Sequence, residues 1–461
     1  MQRTMITLVA AFALLLSPAL VGAEDADVQA QLEAMQKQLD SLSERLEATT
    51  DELEVSKTRV NDQEHLIRQA GLADPQGSSS SLGGFWDTIE FGGWISASYW
   101  YNFNQIDNDD LIGANVGVNG QSSPFNPDAN QFSFDQLWFE MERPIDESNR
   151  AGFVASFAFG KVAKLLPDGN GADGGNSLYI PEAYIQYLTP MGPTLKAGKF
   201  GTWIGYEVAQ TVYNENISRG FVYNLLQPID HTGISLEGDF GDSGAYWGVA
   251  LVNNVFKTQP VVNDNLAYMG KLGWANDQFS LQLAGIWGQV TGDSCGDLSA
   301  LPTETCGEHG YLQSGGDSNH KLGIIDLVAT YDPTERIHLW ANVDYSWSDS
   351  QREGGSGTKP AAYGFAIGGR YALTERLGAA LRAEYVADDR TYFGFADEAD
   401  LWSITATVDY AITEQLMFRG EVRHDNGQID KGPDDLFIDD GRNMWDNASQ
   451  TLVGAELIYK F

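Results

Sequence analysis

The residues after position 84 alternate between apolar and polar side chains with a period of two, almost to the last residue. This alternation is typical of β-strands with one apolar face and one hydrated face. We predict sixteen strands, at residues 88–103, 132–143, 150–160, 178–188, 193–201, 231–240, 244–254, 266–274, 277–290, 319–332, 335–349, 359–372, 375–388, 399–412, 415–425 and 449–461. The connection after each even-numbered strand is short, and the connection after each odd-numbered strand is longer. This pattern is typical of a bacterial outer-membrane barrel with short periplasmic turns and long extracellular loops.

The two faces of each predicted strand fit such a barrel. One strand places Leu377, Ala379, Leu381, Ala383 and Tyr385 on one face, with Arg382 and Glu384 on the other. A polar interior of this kind cannot fill a dry core without partners, but it can line a water-filled lumen. We therefore predict an all-β transmembrane barrel of 16 antiparallel strands, with 14 or 18 strands as alternatives. A large soluble sandwich or propeller would not explain the alternating connections.

The chain ends on the apolar face of its last predicted strand. Phe461, Tyr459 and Leu457 alternate with Lys460 and Ile458. A last strand that closes on an aromatic residue looks like the signal recognised by the outer-membrane assembly machinery. We therefore expect this strand to complete the barrel, with its apolar face against outer-membrane lipid.

The N-terminal part of the chain has a different organisation. Residues 1–23 combine a positive charge with an apolar stretch that ends on small residues, which predicts a secretory signal peptide cleaved after Ala23. Residues 24–69 predict a periplasmic coiled coil, because apolar residues recur every seven positions at Leu32, Leu39, Leu46, Leu53, Val60 and Ile67. A single amphipathic helix packed on a domain is the alternative. Residues 70–84 predict a flexible linker to the barrel at 85–461.

Composition excludes some classes of function. The formal net charge of −36 argues against binding to nucleic acid phosphates. Cys295 and Cys306 lie in a Gly- and Asp-rich stretch, and in an exported protein they predict a disulfide within a loop. Metal binding by this pair, with His309 as the candidate third ligand, is the alternative. None of the six histidines has a visible nucleophile partner, so we expect no enzymatic activity.

The third long connection, residues 202–230, is rich in aromatic and polar residues. It contains Trp203, Tyr206, Tyr213, Phe221 and Tyr223, together with Glu207, Asn214, Glu215, Asn216 and Arg219. A surface loop would not need so many large rings, so we predict that this connection folds partly into the lumen and narrows it. The predicted constriction residues here are Trp203, Tyr206, Glu207, Tyr213 and Arg219. The alternative is a cap on the barrel rim or at a trimer interface.

A row of arginines falls on inward positions of the twelfth, thirteenth and fifteenth predicted strands. Its members are Arg370, Arg382, Arg419 and Arg423. We predict that this row faces the third long connection across the lumen and favours anions. Glu384 and Glu421 lie on the same strands, so the alternative is that salt bridges neutralise the row. Glu140, Glu182 and Glu237 also point inward, so counting charges does not decide the ion selectivity.

No cofactor is expected, although two acidic loops are candidates for structural calcium. Residues 168–176 contain Asp168, Asn170 and Asp173, and residues 432–441 carry a second group of carboxylates. Solvated acidic loops are the alternative.

Five short motifs lie within residues 195–240. They are Gly198-Lys199-Phe200, Gly205-Tyr206-Glu207, Ser218-Arg219, Pro228 and His231-Thr232-Gly233. Through them this stretch resembles the OmpL-like family of outer-membrane β-barrel porins. The resemblance implies a pore, usually trimeric, that passes small hydrophilic solutes. It supplies no established substrate and transfers no functional residue.

We therefore expect a passive, water-filled channel for small hydrophilic solutes and ions, assembled as a homo-oligomer, with a trimer favoured, partly through the coiled coil. One alternative is a substrate-specific channel of the sugar type, in which the aromatic residues of 202–230 would form a row for stacking. Another is a tether that joins the outer membrane to the cell wall through the coiled coil.

Overall fold

The computed structural model describes Lys37 and residues 88–103, 130–165, 178–256, 266–289, 321–349, 359–388, 398–430 and 448–461. Several predicted features lie outside these residues and stay predictions. They are the signal peptide with its cleavage after Ala23, the coiled coil apart from Lys37, the linker, the cysteine pair Cys295 and Cys306, and the calcium candidates Asp168, Asn170, Asp173 and 432–441.

The described residues from 88 onward form a closed antiparallel β-barrel of sixteen strands. The strands are β1 (Glu90–Asn102), β2 (Gln131–Arg143), β3 (Ala151–Phe159), β4 (Leu178–Tyr179 and Ala183–Leu188), β5 (Thr194–Gly201), β6 (Asp230–Asp239), β7 (Ala245–Val252), β8 (Ala267–Ala275), β9 (Phe279–Gln289), β10 (Lys321–Thr334), β11 (Ile337–Ser348), β12 (Ala361–Ala372), β13 (Leu377–Asp388), β14 (Glu398–Ala411), β15 (Leu416–Asp430) and β16 (Ala448–Lys460). Both segments of β4 pair with β3, so they count as one strand. Each strand pairs with its neighbours in sequence, and β1 pairs with β16 to close the ring. The predicted antiparallel β-barrel and its number of strands are confirmed.

Most strand bounds agree with the alternation pattern to within about two residues. The exceptions are β4, which is interrupted between Tyr179 and Ala183, and β15, which continues to Asp430 instead of ending at 425. Two short helices, α1 (Lys161–Leu165) and α2 (Phe221–Leu226), interrupt the connections. In the part of the chain that the structure describes, neither helix has the length and apolar character required to cross a membrane.

The two faces of the barrel wall differ as the alternation predicts. On β11 the outward side chain of Val343 is 48 % exposed, whereas the neighbouring Asp344 is fully buried inside the barrel. Leu381 on β13 is 63 % exposed, and Arg382 beside it is 1 % exposed. The exposed apolar face is therefore the outer surface, as expected for a wall in contact with lipid.

The end of the chain takes part in closing the barrel. The backbone N–H of Phe461 donates to the carbonyl of Gly93 at 3.0 Å, and the N–H of Gly93 donates to the carbonyl of Phe461 at 3.1 Å. The Phe461 ring lies 5.7 Å from the ring of Phe139 on β2. Leu457 and Tyr459 point outward and are exposed, so the terminal apolar face belongs to the outer surface.

Candidate constriction site

The connection between β5 and β6 folds into the interior of the barrel. We call residues 202–229 the inner segment. Its buried side chains include Trp203, Ile204, Glu207, Thr211, Asn214, Asn216, Ile217, Ser218, Arg219, Phe221, Val222, Leu225, Leu226 and Gln227. These residues contact inward-facing groups of the wall, so the prediction of burial within the lumen is confirmed and a cap on the rim is excluded.

Polar contacts within the inner segment hold it in a compact loop. The guanidinium of Arg219 donates to the carbonyls of Val208, Ile217 and Ala209 at 2.7, 2.6 and 2.8 Å. The Asn214 side chain accepts from the N–H of Val208 at 3.0 Å and donates to the Val208 carbonyl at 2.9 Å. Gly205 has a φ of 92°, a conformation that favours glycine, where the chain turns into the barrel. The side chains of Arg219 and Asn214 therefore hold the conformation of the loop, and neither belongs to a surface that faces water.

Three wall arginines donate to backbone carbonyls of the inner segment. Arg382 donates to the Ser218 carbonyl at 2.7 Å, and Arg423 donates to the Arg219 carbonyl at 2.6 Å. Arg419 donates to the Asn214 carbonyl at 2.7 Å and also to the carboxylate of Glu456, with 2.8 Å between Nε and Oε2. These bonds attach the inner segment to β13 and β15.

Carboxylates bind backbone N–H groups of the same stretch. Glu421 accepts from the N–H groups of Ile217 and Ser218 at 2.6 and 3.1 Å. Glu384 accepts from Val222 at 3.2 Å. Glu207 accepts from the N–H of Gly220 at 2.8 Å and forms an ion pair with Arg382 at 2.5 Å. Burial raises the pKa of the Glu207 carboxyl, and the Arg382 guanidinium opposes that rise.

These contacts correct the predicted position of the arginine row. The prediction placed an open lumen between the arginine row and the inner segment. The inner segment instead lies directly on three of these arginines, Arg382, Arg419 and Arg423, which are at most 2 % exposed. Arg370 differs, because it is partly exposed and forms two hydrogen bonds with Asp409 at 2.8 and 2.6 Å. Arg382, Arg419 and Arg423 are buried because the inner segment covers the inward positions of β13 and β15. Of the two proposed salt-bridge partners, Glu384 lies 3.9 Å from Arg382 and 3.8 Å from Arg423, whereas Glu421 binds backbone amides.

Apolar contacts attach the rest of the inner segment to the wall. Trp203, Ile204, Leu225 and Leu226 belong to one buried cluster with inward residues of the wall, including Val252, Met269, Ile286, Ile324, Trp340, Ala366 and Val386. Helix α2 lies so close to β12 that a Cβ atom at Gly364 would lie 2.8 Å from Cδ1 of Leu226. The inner segment is thus packed against inward side chains of the wall by apolar as well as polar contacts.

The aromatic residues of the inner segment do not form an exposed row. Trp203, Phe221 and Tyr223 are buried, and Tyr206 stacks on Trp340 with 4.2 Å between ring centroids. Only Tyr213 is largely exposed among these five, at 60 %. Its hydroxyl donates to Glu140 at 3.0 Å, and partial desolvation together with this carboxylate raises the pKa of Tyr213 to about 12.

Two groups that matter to the interior were missed at the sequence level. Gln227 donates to Asn342 and Asp344 of β11 at 2.7 and 2.6 Å, which anchors the end of the inner segment. Lys196 and Lys271 both contact Glu237, at 3.0 and 2.6 Å. The alternation pattern already places both lysines on inward positions, so this signal could have found them.

No group of three or more His, Cys, Asp or Glu side chains suited to hold a metal ion occurs among the described residues.

The sequence match decides the family. The family described as "Putative beta-barrel porin-2, OmpL-like" matches residues 88–461, which is the entire barrel. The chain belongs to this family of porins. The resemblance seen in residues 195–240 is thereby confirmed, and the barrel is an outer-membrane protein. Comparison with curated proteins gave no match.

Solved structures share the fold at low sequence identity. The outer membrane channel DcaP of Acinetobacter baumannii is 12 % identical, with a TM-score of 0.51 over 81 % of this chain and 97 % of that chain. The trimer form of OmpT, an outer membrane protein of Vibrio cholerae, is 10 % identical, with a TM-score of 0.50 over 81 % of this chain and 99 % of that chain. Both similarities concern the fold of the barrel.

Proposed function

We propose that the chain forms a passive, water-filled channel across the outer membrane for small hydrophilic solutes and ions. The observation that carries this proposal is a set of inward-facing charged side chains that keep contact with solvent near the short-turn ends of their strands. The side chains of Lys196, Glu237, Asp332 and Arg370 are 24, 16, 45 and 36 % exposed. Charged groups in such positions need water around them. Sieving by the inner segment and the electric field of these groups would then be the whole mechanism, without enzymatic chemistry.

Conductance across a planar lipid bilayer tests the proposal. We expect the purified full chain to insert as discrete channels whose conductance rises in proportion to the KCl concentration, as in a wide aqueous pore. A chain that is folded and inserted but conducts no ions would contradict it.

A sugar-specific channel has less support, because the proposed row of aromatic residues is mostly buried. Trp203 and Tyr206 contact other side chains of the interior, which leaves Tyr213 as the exposed ring of the inner segment. Current recordings with maltose or longer oligosaccharides distinguish the two cases. We expect no saturable block of the current, whereas a specific channel would show one.

We further propose a homotrimer with its coiled coil in the periplasm. The heptads of residues 24–69 support association of chains, and the OmpT structure with this fold is a trimer form. Light scattering of the detergent complex is expected to give three chains. Deletion of residues 24–84 separates a channel from a tether, because a channel keeps its conductance whereas loss of envelope integrity would favour the tether.

A further inference from the structure

The charged groups left accessible inside the barrel are unevenly balanced between acids and bases. Glu140 and Glu142 lie on inward positions of β2, and Glu182 lies between the two segments of β4. All three are partly exposed. We call these three residues the acidic wall.

The partners of the acidic wall are neutral. Glu140 accepts from the Tyr213 hydroxyl at 3.0 Å, and Glu142 accepts from the Gln186 amide at 3.0 Å. Glu182 accepts from the N–H of Gly201 at 3.3 Å. No Lys or Arg of the described residues forms an ion pair with any of the three. Their negative charge is therefore not neutralised by direct contact.

The inward-facing cations, in contrast, are paired. Lys196 and Lys271 share the single carboxylate of Glu237, and Lys271 also lies 4.5 Å above the ring of Trp203. Arg370 forms a doubly bonded pair with Asp409. The other three arginines of the predicted row, Arg382, Arg419 and Arg423, are buried beneath the inner segment. The three of these six that stay partly exposed, Lys196, Lys271 and Arg370, are each in contact with a carboxylate.

Further acids of the interior lie next to Tyr206 and His338. Glu215 accepts from the Tyr206 hydroxyl at 2.7 Å, and Asp332 contacts Nδ1 of His338 at 2.7 Å. His338 Nε2 lies 3.5 Å from Glu215, so one imidazole lies between two carboxylates. These groups add negative charge to the same interior.

We propose that the channel prefers cations and that the acidic wall sets this preference. The inference rests on the proposed function and reverses the anion preference expected from the arginine row. Charges of one sign on the wall of a narrow, low-dielectric passage concentrate mobile ions of the opposite sign. The carboxylates of the acidic wall are in contact with water and have no cationic partner, whereas Arg382, Arg419 and Arg423 are buried and Arg370 is paired with Asp409, so the carboxylates act on passing ions.

The test is the reversal potential of the full chain in a planar bilayer under a KCl gradient. We expect K⁺ to be more permeant than Cl⁻. In the triple variant E140Q/E142Q/E182Q we expect the permeability ratio to fall by about twofold or more, since three charges leave the wall. Glu147→Gln is the control, because it removes one carboxylate charge at an exposed position in the turn between β2 and β3, outside the acidic wall.

A second measurement uses the unmodified chain and does not depend on the folding of a variant. Screening acts over about 10 Å at 0.1 M salt and about 3 Å at 1 M, so the cation preference is expected to weaken as the mean KCl concentration rises. Channels that prefer chloride, or a triple variant with an unchanged ratio, would overturn this inference and leave the proposed pore intact. Absence of any channel in the unmodified chain would instead overturn the proposed function and this inference with it.

Discussion

At the scale of single residues, the interior depends on paired groups that each contact two different parts of the chain. Arg382 on β13 binds both the carboxylate of Glu207 and the carbonyl of Ser218. The space around this pair is closed, because a Cβ atom at Gly220 would lie 2.9 Å from Oε2 of Glu207. Both charged groups are removed from water, so burial of either one is tolerated in the folded state only because the other lies beside it.

Replacing Arg382 by Met is expected to loosen the inner segment. The change leaves the buried Glu207 carboxylate without its cation, and breaking such a pair costs about 3–5 kcal/mol. Limited proteolysis of the detergent-solubilised barrel should show faster cleavage within residues 202–229. Arg376→Met is the control, because Arg376 lies in the exposed turn before β13.

The double variant Arg382→Met with Glu207→Gln adds a direct check on the pair. It should recover part of the protection, because the unpaired charge is removed as well. Equal cleavage in Arg382→Met and the unmodified chain would contradict the attachment role.

At the scale of elements, helix α2 is the apolar counterpart of the arginine contacts. It has only six residues, from Phe221 to Leu226, so its conformation depends on the wall against which it packs. Leu226 is fully buried, and the helix contacts β12 where Gly364 leaves room for it. The inner segment is therefore held at two places, by polar bonds to β13 and β15 and by apolar contacts around α2.

Leu226→Ala is expected to increase the size and noise of single-channel currents. Truncation of a buried Leu costs about 2–5 kcal/mol, so conformations with α2 away from the wall gain population. Bilayer recordings measure this effect. Leu381→Ala is the matched control, because Leu381 faces outward and is 63 % exposed. Equal currents in both variants would mean that α2 does not limit conduction.

At the scale of the whole molecule, closure of the barrel removes the free strand edges that an open sheet would expose. The ring closes between β1 and β16, where residues from Trp94 to Asn102 pair with residues from Lys460 to Leu452. Phe461 extends this ladder by two backbone hydrogen bonds with Gly93. Phe461 therefore lies at the seam between β1 and β16. Its predicted role in assembly concerns this same seam.

Deletion of Phe461 is expected to lower the amount of folded barrel in the outer membrane. The variant loses both bonds to Gly93 and the ring contact with Phe139. The heat-dependent shift of the folded band in unboiled gel samples measures the folded fraction. Phe461→Tyr should keep nearly the full amount, because it retains the ring and the backbone bonds. Normal folding of the deletion variant would refute the assembly role.

Much of the barrel could be predicted from the sequence because the relevant signals are local. The face on which a strand side chain lies depends only on its position in the alternation, so the sequence places Leu381 and Arg382 on the correct faces. Strand bounds and connection lengths follow from neighbouring residues in the same way. The inner segment was also located, because its cluster of large rings is unusual for a surface loop.

The environment of the arginines could not be predicted, because it depends on contacts between distant parts of the chain. Arg382 and Ser218 are separated by 164 positions, and Arg419 and Asn214 by 205. The alternation correctly turned these arginines inward, but it carries no information on what lies above them. The sequence by itself determined the barrel and its two faces, because strand geometry is local. Only the tertiary structure decided which inward charges meet water, because that depends on where the inner segment packs.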